Sequence, residues 1–142
     1  MRIIKKLGAI ALVATMMMSS VMVSEVRAEE FKVDKSDKVL GRSYTILAQG
    51  NTSTILATTS YTSGSGSVTV QSSCYKYNKS NPKNVKIDYK EQVNKSTPYG
   101  ATVVCTAGSD YYYYSMESKH RYVIYIDGDT YTGDVSIDYD FN

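Results

Sequence analysis

The chain has 142 residues, 16 of them Lys or Arg, 14 Asp or Glu and one His, with 14 tyrosines, two cysteines and no tryptophan. One histidine and two cysteines fall short of the three or four ligands that zinc takes, and no motif implies another metal or a cofactor. Threonine, serine, valine, isoleucine and tyrosine dominate, and branched or aromatic side chains suit a pleated, half-buried surface.

The first segment reads as a secretory leader, residues 1–28. Arg2, Lys5 and Lys6 give a positive start, Leu7 to Val23 is an apolar run, and Val26-Arg27-Ala28 puts small residues at the −3 and −1 positions ahead of Glu29. The apolar run is short for a bilayer span of ~20 residues, so cleavage is expected and no membrane span after it. No cysteine follows the cleavage point to carry a lipid, and "SIDYDFN" at the end lacks an apolar tail. The expected product is Glu29–Asn142, 114 residues, secreted and extracellular. Losing the leader removes four of the 16 basic and one of the 14 acidic residues, which leaves twelve against thirteen. Basicity then gives no support to nucleic-acid binding.

From Glu29 the stretch 29–41 is polar and aperiodic, a partly disordered lead-in from which only Phe31 and Val33 dock. Residues 42–142 form a single domain. "RSYTILAQ" and "TSTILATTSY" are joined at Gly50-Asn51, a two-residue hairpin signal that sets Ile46 opposite Ile55 and Tyr44 opposite Ala57. "SGSGS", residues 63–67, is a flexible loop into the next strand. In "SVTVQSSCYKY" the alternation puts Val68, Val70, Ser72 and Cys74 on one face, and in "GATVVCTAG" it puts Ala101, Val103, Cys105 and Ala107 on one face. Both cysteines thus point to the apolar side, where an oxidising compartment would join them as a disulfide. Between them, "NKSNPKN" is a turn cluster and "VKIDYKEQV" alternates Val85, Ile87 and Tyr89 against Lys86, Asp88 and Lys90.

The last hairpin carries Asp127-Gly128, residues that accept the positive φ angles of a type I′ turn. Its register pairs Ile126 with Asp129, Ile124 with Tyr131, Tyr122 with Gly133 and His120 with Val135, and sets Arg121 against Asp134. Val135, Ile137, Tyr139 and Phe141 then share one face, with Asp134, Ser136, Asp138 and Asp140 on the other. Before that hairpin stands "SDYYYYSM". With Met116 inward, strict alternation takes Tyr112 and Tyr114 inward and leaves Tyr111 and Tyr113 outside.

Eight strand-like segments with short turns and no helical periodicity predict an all-β protein, an antiparallel meander forming a small two-sheet sandwich. Catalysis is not expected. His120, the one histidine, lies on an apolar strand face, no glycine-flanked serine elbow is present, and Asp134, Asp138 and Asp140 sit on a solvated face. "DGDTYTGD" begins like a calcium loop, but Tyr131 and Thr132 break it and no glutamate follows. The expected function is a secreted binding or adhesion-type module taking an extracellular ligand, a glycan or a protein, on Tyr111 and Tyr113. The alternative is a small bacteriocin- or toxin-like effector. An exposed edge strand also offers pairing with a second copy.

Overall fold

The computed structural model describes residues 29–39, 42–62, 64–96 and 99–141. The leader and its cleavage site lie outside the described residues. Eight strands follow one another: β1 (Phe31–Val39), β2 (Arg42–Gly50), β3 (Thr54–Tyr61), β4 (Ser65–Asn78), β5 (Val85–Asn94), β6 (Tyr99–Thr106), β7 (Tyr111–Ile126) and β8 (Asp129–Asp140). They make two antiparallel four-stranded sheets, ordered β1-β2-β3-β6 and β5-β4-β7-β8. The architecture is the expected two-sheet sandwich.

The connectivity is not a meander. The chain changes sheet between β3 and β4, between β5 and β6 and again between β6 and β7, so β3 pairs with β6 in the first sheet while β4 pairs with β7 in the second. Short-range turn signals cannot reveal this, because the two pairings that cross over, β3 with β6 and β4 with β7, join strands tens of residues apart in sequence. The lead-in is also ordered. Phe31–Val39 pairs along its whole length with β2, with Phe31 buried and Val33 packed against the core. Its polarity fits an edge strand whose far half, Asp34–Lys38, stays exposed.

Side chains of both sheets interdigitate at the core, as period-2 alternation requires. Val68, Val70, Ser72 and Cys74 of β4 face Ala101, Val103, Cys105 and Ala107 on and just after β6, all of them buried. At the other side Phe31 stacks on Tyr139 with ring centroids 4.2 Å apart, and Tyr44 meets Tyr122 at 4.1 Å. Tyr122 lies flat over Gly133 on β8, where an added Cβ would come within 2.1 Å of the ring. Glycine is there to admit an aromatic ring.

The β7–β8 hairpin has the expected register throughout, from Ile126 opposite Asp129 to His120 opposite Val135. Asp127 and Gly128 take φ of 50° and 86°, the left-handed values of the tight turn. Arg121 meets Asp134 at 3.4 Å on the exposed face. The β2–β3 hairpin differs. Gly50 pairs with Ile55, Ala48 with Ala57 and Tyr44 with Tyr61, so the loop is Asn51–Ser53 rather than Gly50-Asn51. The Asn51 side-chain oxygen accepts from the amides of Ser53 and Thr54 at 2.8 and 3.0 Å, and its own amide donates to the Thr54 carbonyl. That Asn-centred turn shifts the register by four residues, an even number, so every face is kept while every partner changes. Similarly, β4 starts at Ser65, inside the stretch expected as a loop.

Candidate functional site

The tyrosine run divides two and two, in the opposite sense to strict alternation. Tyr113 is fully buried, while Tyr112 and Tyr114 point to the outer face of the second sheet. The cause is a β-bulge. Tyr75 pairs with Ser115 but Lys76 pairs with Tyr113, which leaves Tyr114 as the extra residue. One inserted residue reverses the inward–outward phase of everything before it. Tyr111 and Tyr113, expected as the exposed pair, therefore belong to the inner side, and Tyr111 packs against the core.

On the inner side these two rings join a polar cluster. Tyr113 donates its hydroxyl to Asp88 at 2.8 Å, and Lys76 pairs with the same carboxylate at 2.9 Å. Burial, then the bond to Asp88, holds the Tyr113 hydroxyl protonated far above the ordinary tyrosine range. Hydrogen bonds from Lys76 and Tyr113 outweigh the effect of burial on Asp88 and keep it below the usual carboxylate range. Lys76 and Lys86 lie 5.0 and 4.7 Å from the Tyr111 ring centre, a cation–π arrangement. These groups close the end of the sandwich.

The cysteines lie beside this cluster. Cys74 and Cys105 are buried on facing strands, as expected, but both are free thiols and no disulfide joins them. The two sulfurs are within hydrogen-bonding reach, and Cys74 is also 3.2 Å from the Ser72 hydroxyl. Its hydrogen bond with Cys105 and its burial raise the Cys74 pKa well above the ordinary thiol value. Facing positions are necessary for a bridge, but a bridge also demands a particular sulfur geometry that alternation does not encode. The sequence pattern also gave no sign that Asp88 and Lys90 of β5 reach the field of these sulfurs.

His120 is 2% exposed and held through both ring nitrogens. Nδ1 is 3.0 Å from the Thr59 hydroxyl and Nε2 is 2.9 Å from the Ser118 hydroxyl. Thr59 donates to the Thr69 carbonyl, so the consistent arrangement has Ser118 donating to Nε2 and Nδ1–H donating to Thr59. Burial lowers the His120 pKa to about 4. A serine beside a histidine resembles a nucleophile beside its base, but Ser118 is 0% exposed, shut inside the sandwich. The trio satisfies buried polar groups. Among the described residues no three of His, Cys, Asp and Glu converge so as to hold a metal ion.

The outer face of the second sheet is different in kind. Tyr77 stacks on Tyr114 with centroids 4.3 Å apart, flanked by Tyr112 at 5.9 Å from Tyr77 and Tyr75 at 6.3 Å from Tyr114. All four rings are half-buried and so remain open to solvent on one side. Beside them on β5 stand Val85, Ile87 and Tyr89, at 47%, 63% and 58% exposure. A little further along the same face is a shallow depression of roughly 60 Å³ lined by Gln71, Ser73, Tyr89, Glu117 and Lys119. Aromatic rings thus adjoin a patch of hydrogen-bonding groups on one rigid surface. Tyr75 and Tyr77 were not singled out in the sequence, although "CYKYN" alternates them to the side away from Cys74. Compared with models of known families the chain matches none, and among curated proteins no relative is found.

Proposed function

We propose that this chain is a secreted, non-catalytic binding module that holds an extracellular glycan on the outer face of its second sheet. The reading is carried by the four-ring platform of Tyr75, Tyr77, Tyr112 and Tyr114. Tyrosine rings offer sugars an apolar face for stacking and a hydroxyl at the rim, with little side-chain entropy to lose on binding. The adjoining Gln71, Ser73, Glu117 and Lys119 supply donors and acceptors for sugar hydroxyls. A platform built on paired strands is pre-organised, so little ordering entropy is lost when a ligand lies on it. Export rests on the three-part leader of residues 1–28.

Glycan-array binding by Glu29–Asn142, beside a Tyr77→Ala/Tyr114→Ala variant of unchanged thermal stability, tests this. Binding that the variant loses supports the platform. Binding that the variant keeps moves the site elsewhere, and no binding by either protein rejects a glycan ligand.

A further inference from the structure

The two sheets have four edges, and three are closed to a partner strand by their own chemistry. On β1, Lys32, Asp34, Lys35, Asp37 and Lys38 put charge on both faces. β8 carries Asp134, Asp138 and Asp140 and no cation, so pairing it with the same strand of a second copy would gather carboxylates with nothing to neutralise them. The edge of β6 is already occupied. Asn94 donates to the Gly100 carbonyl at 3.0 Å, Gln92 accepts from the Thr102 amide at 2.6 Å, and Lys90 donates to the Val104 carbonyl. Side chains of β5 at alternate positions therefore cap the backbone of β6 in place of another strand.

Among the described residues β5 itself has no such cover. It is hydrogen-bonded to β4 on one side only. Of the five large hydrophobic residues most exposed among the described residues, it holds four: Val85, Ile87, Tyr89 and Val93. It has ten residues and no proline or glycine to interrupt pairing. We propose that β5 is where two copies of this chain associate, each adding its β5 antiparallel to the other's second sheet about a two-fold axis at Tyr89.

The register follows from the charges. Directly opposite residues in an antiparallel pair point to the same face, so shifts by one residue would set apolar side chains against lysines. A register centred on Asp88 opposes carboxylate to carboxylate, and one centred on Lys90 opposes two ammonium groups. Centring on Ile87 sets Lys86 against Asp88 but uses only half the strand. Centring on Tyr89 pairs the whole strand: Val85 opposite the second copy's Val93 twice over, Asp88 (already holding Lys76 and Tyr113) opposite its Lys90 twice over, and Ile87 opposite its Glu91, the one apolar–charged match this register accepts. The product is one continuous eight-stranded sheet.

Sedimentation equilibrium of Glu29–Asn142 up to ~100 μM reads the outcome. The expected result is a dimer that dissociates on dilution. Tyr89→Lys, a change at an exposed residue that sets two ammonium groups across the axis, should weaken association by about tenfold or more while leaving thermal unfolding unchanged at dilutions where both proteins are monomeric. Val85→Glu and Val93→Lys should each weaken it, and the double variant should restore it, since only in this register do those residues meet across the interface. A monomeric parent, or a Tyr89→Lys protein that stays dimeric, overturns the proposal. Failure of the double variant to recover overturns the register.

Discussion

Acid should destabilise this protein through one residue before its carboxylates begin to titrate. His120 ionises near pH 6.5 in the unfolded chain and near pH 4 in the fold, because burial disfavours the charged ring. Between those values the unfolded state binds more protons than the native state, so stability falls as the pH falls. The ratio of the two binding polynomials makes the loss about 2 kcal/mol at pH 5, approaching about 3 kcal/mol below pH 4. Above pH 6.5 the contribution is flat. Asp88 has the usual carboxylate sign: its depressed pKa stabilises the fold above the unfolded carboxylate value and is lost in stronger acid. Because the chain has only one histidine, the window from pH 7 to pH 5 isolates it. Urea unfolding followed by circular dichroism at several pH values across that window measures the slope. His120→Gln should be less stable at pH 7 and lose the slope. A parent protein of constant stability from pH 7 to pH 5 would refute the neutral, hydroxyl-bound ring.

Three further outcomes are expected. Tyr113→Ala should cost about 3–5 kcal/mol in urea unfolding against about 1 kcal/mol for Tyr112→Ala, a contrast that inverts if the bulge at Tyr114 is absent. Gly133→Val should drive the Tyr122 ring off β8 and cost about 1–3 kcal/mol by the same assay, whereas substitution of the unobstructed Gly100 by Ala should cost little. With no reductant present, a thiol-specific chromophore should find no reactive cysteine in the native protein and two in denaturant. Finding fewer than two in denaturant would mean that the sulfurs are joined.

Alternation made the inward faces of β4, β6 and β8 legible, because each mixes apolar and polar residues at period two. It failed at "YYYY" for a simple reason: identical residues carry no phase, so only Met116 fixed the direction and nothing marked the extra residue at Tyr114. The two hairpins divide on the same physics. Asp127-Gly128 has one residue pair that tolerates positive φ, and the register follows from it. Asn51 instead closes its turn through a side-chain oxygen, a choice that the dipeptide Gly50-Asn51 does not announce. In β1 the apolar alternation of Phe31 and Val33 is broken by Lys35 and Asp37 before Val39, and its strand form comes from pairing with β2 rather than from its own pattern. The four-ring platform needed strands brought together from separate parts of the chain, which no local pattern states.

The exchange of strands between sheets has a consequence for how the molecule is made. Thr58 and Thr102 lie side by side, their hydroxyls 2.9 Å apart, and Thr59 reaches His120 across 61 residues. Contacts of that span carry a loop-closure cost before they return any stabilisation, so assembly is slow relative to that of local hairpins. The β1–β3 segment can form early, but its last strand has no second neighbour until β6 emerges. β4 in turn waits for β7 to complete its sheet and cover Val68 and Val70. A chain halted at residue 98 would hold five of the eight strands and neither finished sheet, a sticky fragment for proteases and chaperones to clear. Half of this sequence is not half a fold.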